Sequence, residues 1–301
     1  MALDKKYRPG NWDDFYGNIP TVKSLKAVIS KDDPPHSYFF SGPPGCGKTT
    51  LARILTNELE CHVNDLREIN MGNNRGIDTA REIINNVYFQ PMYGKTKVYL
   101  LDEVHKSTSE FQNAMLKIVE EPPEHVYFVF CTTEPERVIN TIKSRCACYS
   151  VSLLPEKRIK KLLFSICEKE NIELKEEYFD EIAKASAGSP RQALIILDQV
   201  KGVEEKYITK SIQKYSDRDA VDVKKLCRAL LERRNWKVIS KIIKGIEAEP
   251  ETVRRAVLGY MAAVALNNSN SQAFIVIDNF QDNFFDSGKA GLVLACYSSL
   301  L

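Results

Sequence analysis

The segment Gly42-Pro43-Pro44-Gly45-Cys46-Gly47-Lys48-Thr49 constrains this chain more than any other. It fits the pattern G-x4-G-K-[ST]. Glycines at these spacings let the backbone curl until its N–H groups face one centre. The helix that follows turns its positive end toward the same centre. That centre suits phosphate. Lys48 is placed to reach the outer phosphates and the Thr49 hydroxyl to ligate Mg2+, with Thr50 beside them in the first turn. The flanks agree with this reading. Ser37-Tyr38-Phe39-Phe40-Ser41 is a short β-like run. Lys48 to Glu60 reads as a helix with Leu51, Ile54, Leu55 and Leu59 on one face.

Two later apolar runs, Val98 to Leu101 and Val126 to Phe130, read as buried strands. Between them Ser107 to Val119 reads as a helix, ended by Glu120-Glu121-Pro122-Pro123. Continuous apolar strands separated by helices predict a parallel sheet covered on both faces. Residues 1–152 are therefore expected to form an α/β domain. Beyond Leu154 the pattern is helical throughout. Residues 153–214 are expected as one helical domain and 215–301 as another.

The stretch 201–260 holds 15 Lys and Arg against 9 Asp and Glu, whereas Lys289 is the one basic residue after 260. Over all 301 residues, 42 Lys and Arg against 40 Asp and Glu leave a net charge of +2. That balance excludes a wholly basic nucleic-acid coat but not a local basic face. With 44% apolar and 27% charged residues, the composition excludes a disordered or collagen-like chain. The eight cysteines form no C-x-x-C pair and read as reduced thiols of a cytoplasmic or nucleoid-associated protein. No run of about 18 apolar residues suggests a membrane span, and the charged start does not read as a signal peptide.

The strand Val98 to Leu101 ends in Asp102-Glu103. In a phosphate-binding fold, Asp102 would hold Mg2+ through water, and Glu103 would orient or deprotonate an attacking water. An acidic Glu103 separates a hydrolysing enzyme from a nucleotide holder. Thr132-Thr133 end the next strand, where a hydroxyl could position that water. His105 is read as a turn residue with no chemical role.

These stretches together resemble the clamp-loader ATPases of the AAA+ class, with the bacterial gamma/tau subunits and the small subunits of replication factor C as the nearest patterns. Lys6-Tyr7-Arg8-Pro9 with Trp12, Phe15 and Gly17-Asn18 looks like the family's adenine-site box. The phosphate loop, Asp102-Glu103-Val104-His105 through the Glu-Glu-Pro-Pro stretch, Ser144-Arg145-Cys146, and Gly188-Ser189-Pro190-Arg191 follow in order.

The resemblance implies that Tyr7, Arg8 and Pro9 border the base of ATP. It makes Thr133 and Arg191 the two γ-phosphate sensors and Arg145 a residue acting in trans on a neighbour's ATP. It implies a pentameric ring, a sliding clamp and primer–template DNA as partners. DNA phosphates would be gripped near Asn74-Arg75-Gly76 and at Lys106, Ser107 and Thr108 by backbone N–H groups, hydroxyls and one cation per site. Val87 to Tyr93 would face the clamp, although Val87 and Phe89 read equally well as core. The family's four-Cys zinc module is reduced to Cys61 and His62, so no zinc is expected. Arg145 is also read as lying just past a helix from Glu136 to Lys143. Two alternatives stand beside this reading: another AAA+ remodeller such as a helicase loader, and a ring subunit that holds ATP without hydrolysing it.

Overall fold

A computed structural model describes residues 1–213, 218–246, 250–268, 270–284 and 287–301. The chain divides into two compact units, Met1–Thr209 and Lys210–Leu301. The α/β part and the helices just after it, expected as separate domains, share the first unit. The boundary with the C-terminal helices comes a few residues earlier than expected.

The first unit is built on β1 (Ser37–Ser41), β2 (Cys61–Asn70), β3 (Thr96–Asp102), β4 (Val126–Thr132) and β5 (Ala147–Ser150). They form one five-stranded sheet in the order β2-β3-β4-β1-β5, and every neighbouring pair is parallel. Side chains along a strand alternate between faces, and the core follows that alternation. Tyr38, Phe40, Val98, Leu100, Val129 and Cys131 face one layer. Phe39, Tyr99, Leu101, Phe128 and Phe130 face the other.

The helices follow the apolar faces. α1 (Leu3–Lys6) and α2 (Ile19–Ile29) precede the sheet. α3 (Lys48–Glu58) joins α2 on the first face through Leu25, Leu51, Ile54 and Leu55. α4 (Ile77–Asn86), α5 (Ser109–Glu120) and α6 (Asn140–Lys143) cover the second through Ile83, Phe111, Met115 and Ile142. β2 was not anticipated. It is an edge strand whose ten residues bury only Cys61 and Asp65, and its register with β3 shifts between Cys61 and Leu66. Its apolar signal is correspondingly thin.

The helix expected over Glu136 to Lys143 is replaced by a 3-10 turn at Pro135–Arg137 and the short α6. Ile139 has its N–H bonded to Gln112 Oε1 at 2.9 Å, and Val138 is extended and buried, so the helix is interrupted there.

Three helices complete the unit's main packing: α7 (Glu156–Glu170), α8 (Glu176–Ala185) and α9 (Pro190–Val200). Phe164 stacks on Phe179 with centroids 4.1 Å apart, and Ile159, Leu163, Ile182, Ala193 and Leu197 are buried. Asn18 fastens the N-terminal segment to the strand exit: its amide donates to Ser152 O and its Oδ1 accepts from Ser152 N. Leu154 N donates to Gly188 O at 2.8 Å, tying that exit to the start of α9. Gly188 has φ +80°, and a Cβ there would lie 2.6 Å from Leu154 O.

α10 (Glu205–Gln213) spans the boundary between the units. The second unit packs α11 (Arg218–Leu231), α12 (Trp236–Gly245), α13 (Pro250–Asn268), α14 (Ser271–Asn279) and α15 (Gly288–Ser298) around Leu226, Leu230, Ile239, Val257, Met261, Phe280 and Cys296. Glu251 staples its N-terminal end of α13. The carboxylate accepts from Arg254, Arg255 and the backbone N–H of Phe284. The adjacent guanidinium groups and this N–H hold its carboxyl down at about 2, against the opposing effect of burial. No described helix is long and apolar enough to cross a membrane.

Candidate nucleotide site

The carboxyl ends of β1, β3 and β4 meet at one edge of the sheet, where parallel α/β folds place their ligands. A cavity of about 380 Å³ opens there. Its lining includes Tyr7, Arg8 and Pro9 at one side, Pro44 to Thr50 along the loop, Asp102 and Glu103 from β3, and Arg191 from α9.

Loop conformation explains the glycines. Gly45 has φ +70° and Gly47 φ +106°. A Cβ at Gly45 would meet Ser189 Oγ at 2.3 Å, while one at Gly47 would press on Phe15. Lys48 is buried and folds over the loop, donating to Gly42 O and Pro43 O at 2.8 Å each. Cys46 is buried behind it, and burial pushes its thiol up, making it a poor nucleophile.

Thr49 Oγ1 donates to Asp102 Oδ2 at 3.0 Å. Burial raises the Asp102 carboxyl, which a bound cation would oppose. One hydroxyl and one carboxylate side by side, in an otherwise open cavity, suit Mg2+, which keeps several of its waters. The donor set therefore fits the expected ion.

Glu103 has φ +56°, a left-handed conformation that costs a non-glycine residue energy and is often found at functional sites. Its Oε2 lies 3.3 Å from His105 Nε2 and 3.5 Å from Lys106 Nζ. His105, read from sequence as a turn residue, is buried against Glu103 and bonds through Nδ1 to Thr132 Oγ1 at 3.0 Å. Its bond to Thr132 crosses from one strand end to the next, so no spacing in the sequence signals it.

The remaining candidates are placed unevenly. β4 ends at Thr132, which is fully buried, and Thr133 follows half-buried outside the cavity lining. Arg191 is largely exposed, with Nε 3.8 Å from Asp4 Oδ2. Ser189 caps α9 by accepting from Gln192 N and donates its own hydroxyl to Gly45 O at 3.2 Å. At the far side, Tyr7 and Lys6 both donate to Glu170 of α7. Arg145 lies outside the cavity. Its guanidinium forks onto Glu120 at 2.8 and 3.0 Å and donates to Thr141 O.

The proposed phosphate grips need correction. The N–H groups of Lys106, Ser107 and Thr108 are spent on Glu103 O, Val104 O and Arg75 O. The Ser107 hydroxyl donates inward to Val104 O, and Thr108 Oγ1 caps α5 by accepting from Phe111 N. Of these residues, the cations Arg75 and Lys106 remain for a phosphate, Lys106 sharing its charge with Glu103. Thr108 N to Arg75 O joins the two stretches into one surface.

The apolar segment divides more clearly. Val87 is core, whereas Tyr88, Phe89, Met92 and Tyr93 are exposed, which removes the core reading of Phe89. Buried Asp65 accepts N–H bonds from Met92, Tyr93 and Gly94 at 2.7–2.9 Å, and Lys97 Nζ donates to Asn86 O and Phe89 O. His62 stacks on Tyr93.

The family described as "DNA polymerase III, delta subunit" matches residues 62–155. The DNA polymerase III subunit gamma/tau of Mycobacterium bovis is 36% identical over 233 residues, covering 69% of this chain and 40% of its own length. This chain belongs to the DNA polymerase III gamma/tau family. The gamma subunit of Buchnera aphidicola is 35% identical over 219 residues, 66% of this chain and 61% of that protein. The tau subunit of Escherichia coli is 34% identical over 220 residues, 66% of this chain and 34% of that protein. The chain spans less than two thirds of the length of these relatives. In fold it is similar to RuvB of Thermotoga maritima, a Holliday junction branch migration motor, with TM-score 0.61 and 20% identity over 75% of this chain and 80% of that one.

Proposed function

We propose that this chain is the ATP-hydrolysing subunit of a sliding-clamp loader in DNA replication. ATP binding would favour the ring conformation that grips and opens the clamp, and hydrolysis after docking on primer–template DNA would release it. The shift can be no larger than the difference in ATP's affinity for the two states. The observation that carries the reading is Glu103 beside Thr49, Asp102 and Lys48 in one cavity. It favours an enzyme over a subunit that only holds ATP.

Lys48 would move from the loop carbonyls to the β- and γ-phosphates, while the loop N–H groups bind their oxygens. Thr49 and Asp102 would hold Mg2+, which supplies charge neutralisation for the phosphates when bound. Glu103 would accept the proton of the attacking water. Tyr7, Arg8 and Pro9 would border the base. Thr133, just past β4, and Arg191 on α9 would sense the γ-phosphate. Arg145 would serve ATP on the neighbouring subunit, which is consistent with its place outside its own cavity. Arg75 and Lys106 would contact DNA phosphates without reading sequence. Tyr88, Phe89, Met92 and Tyr93 would meet the clamp, since exposed aromatics and Met suit interface anchors. The exposed apolar residues Phe274, Leu294 and Tyr297 of the C-terminal unit support a subunit contact there. A cytoplasmic, nucleoid-associated location accords with these roles.

Glu103→Gln tests the hydrolytic reading. Binding of a fluorescent ATP analogue should persist within about threefold while turnover by the assembly falls at least 100-fold, the scale of a lost general base. Full turnover in the variant would contradict it.

A further inference from the structure

His105 occupies a position between the end of β4 and Glu103 that the roles above leave unused. Its side chain is 2% exposed. The neighbours of the two ring nitrogens place its proton. Thr132 Oγ1 accepts the N–H of Glu134 at 3.0 Å and keeps its own O–H to donate to His105 Nδ1, 3.0 Å away. Nδ1 is then the acceptor and Nε2 carries the hydrogen. Nε2 faces the carboxylates of Glu103 at 3.3 Å and Glu134 at 3.8 Å. The opposite tautomer would set a bare nitrogen lone pair against both carboxylates. Burial disfavours the doubly protonated ring, in agreement with one hydrogen on the imidazole.

We propose that His105 is a positioning residue for hydrolysis: its Nε2–H fixes one oxygen of Glu103, and Thr132 fixes the imidazole. The chain of contacts Thr132 to His105 to Glu103 links the end of β4, beside the expected γ-phosphate sensor, to the group proposed to activate water. Both His105 and Lys106 approach the same oxygen of Glu103, Oε2. The inference rests on the reading of Glu103 as the base. Because the left-handed backbone at Glu103 does not by itself select a rotamer, the side chain needs such a partner to keep one aim.

The test uses the assembly purified through a tag on the full chain, with substitutions His105→Asn, His105→Gln, Thr132→Val and Glu103→Gln. Glutamine can place an amide N–H near the position of Nε2, whereas asparagine reaches only as far as Nδ1. His105→Asn should lower kcat for ATP about 10- to 100-fold, the scale of a misaimed reacting group, with KM for ATP and the melting temperature unchanged. His105→Gln should restore kcat to within about threefold of the parent, and Thr132→Val should lower kcat in the same direction without moving KM. Equal losses in the Asn and Gln variants, or full activity in His105→Asn, would overturn the proposal. Turnover that survives Glu103→Gln would instead overturn the reading of Glu103, and this inference with it.

Discussion

At the residue scale, Asp102 and Glu103 are adjacent carboxylates held in different surroundings. Asp102 is bonded to Thr49, and burial raises its carboxyl, a shift that a bound cation would oppose. Replacing it with Asn should cut ATP affinity at least 10-fold in Mg2+ and change it little in EDTA, measured by calorimetry in both buffers. Equal loss in EDTA would remove the metal role. Gly45 gives a second residue-level test. Alanine there meets both a positive φ and Ser189 Oγ, so Gly45→Ala should weaken ATP binding about 10-fold or more. The phosphate loop and the Asp-Glu pair were legible because they are continuous in sequence. His105 was not, since Thr132 and Glu134, at the end of the next strand, reach it only after the parallel strands align. Arg145 on Glu120 is hidden for the same reason.

Among elements, β1, β3 and β4 announced themselves through unbroken apolar runs, as buried parallel strands should. β2 did not, because an edge strand with two buried residues has little apolar pattern to show. The segment after β4 misled in the opposite direction, since its helical spacing yields to a long-range bond from Ile139 N to Gln112. Asp65 shows how the edge element could serve function. Asp65→Ala removes the acceptor for three N–H groups and should speed hydrogen exchange at Met92 to Gly94 while weakening clamp capture about 10-fold. Unchanged exchange in that loop would refute its role as a staple.

In the C-terminal unit, Glu251 makes a pH prediction. Its carboxyl is lowered from 4.5 to about 2 by Arg254 and its other donors. The charged form is therefore favoured by folding. The contribution, of order 3 kcal/mol, is present above pH 4.5 and fades as pH falls toward 2. Glu251→Gln should be less stable at neutral pH and approach the parent on acidification. Urea unfolding read by Trp236 fluorescence in a Trp12→Phe background checks this, because these are the chain's two tryptophans. A stability gap that is constant with pH would contradict the assignment.

For the whole molecule, the first unit supplies a nucleotide cavity, a candidate DNA face and an exposed apolar loop, and the second supplies helices with exposed apolar side chains. Complete catalysis is expected only between neighbours, because Arg145 points away from its own cavity toward Glu120. Arg145→Ala should leave ATP binding intact and lower turnover of the assembled ring about 1000-fold, within the range of trans-acting arginines. Unchanged turnover in the ring would exclude that role. The resemblance read from the ordered motifs is matched by relatives named as DNA polymerase III gamma/tau subunits, while the C-terminal unit carried little beyond helical pattern because its contacts join distant segments.

The most direct measurement is ATP turnover by the assembly isolated through a tag on this chain, with and without primer–template DNA. A clamp-loader subunit should give strong stimulation by primed DNA, abolished by Glu103→Gln. Steady turnover indifferent to DNA would contradict the clamp-loader reading, and absence of turnover in both conditions, with ATP bound, would contradict the assignment of Glu103 as its base.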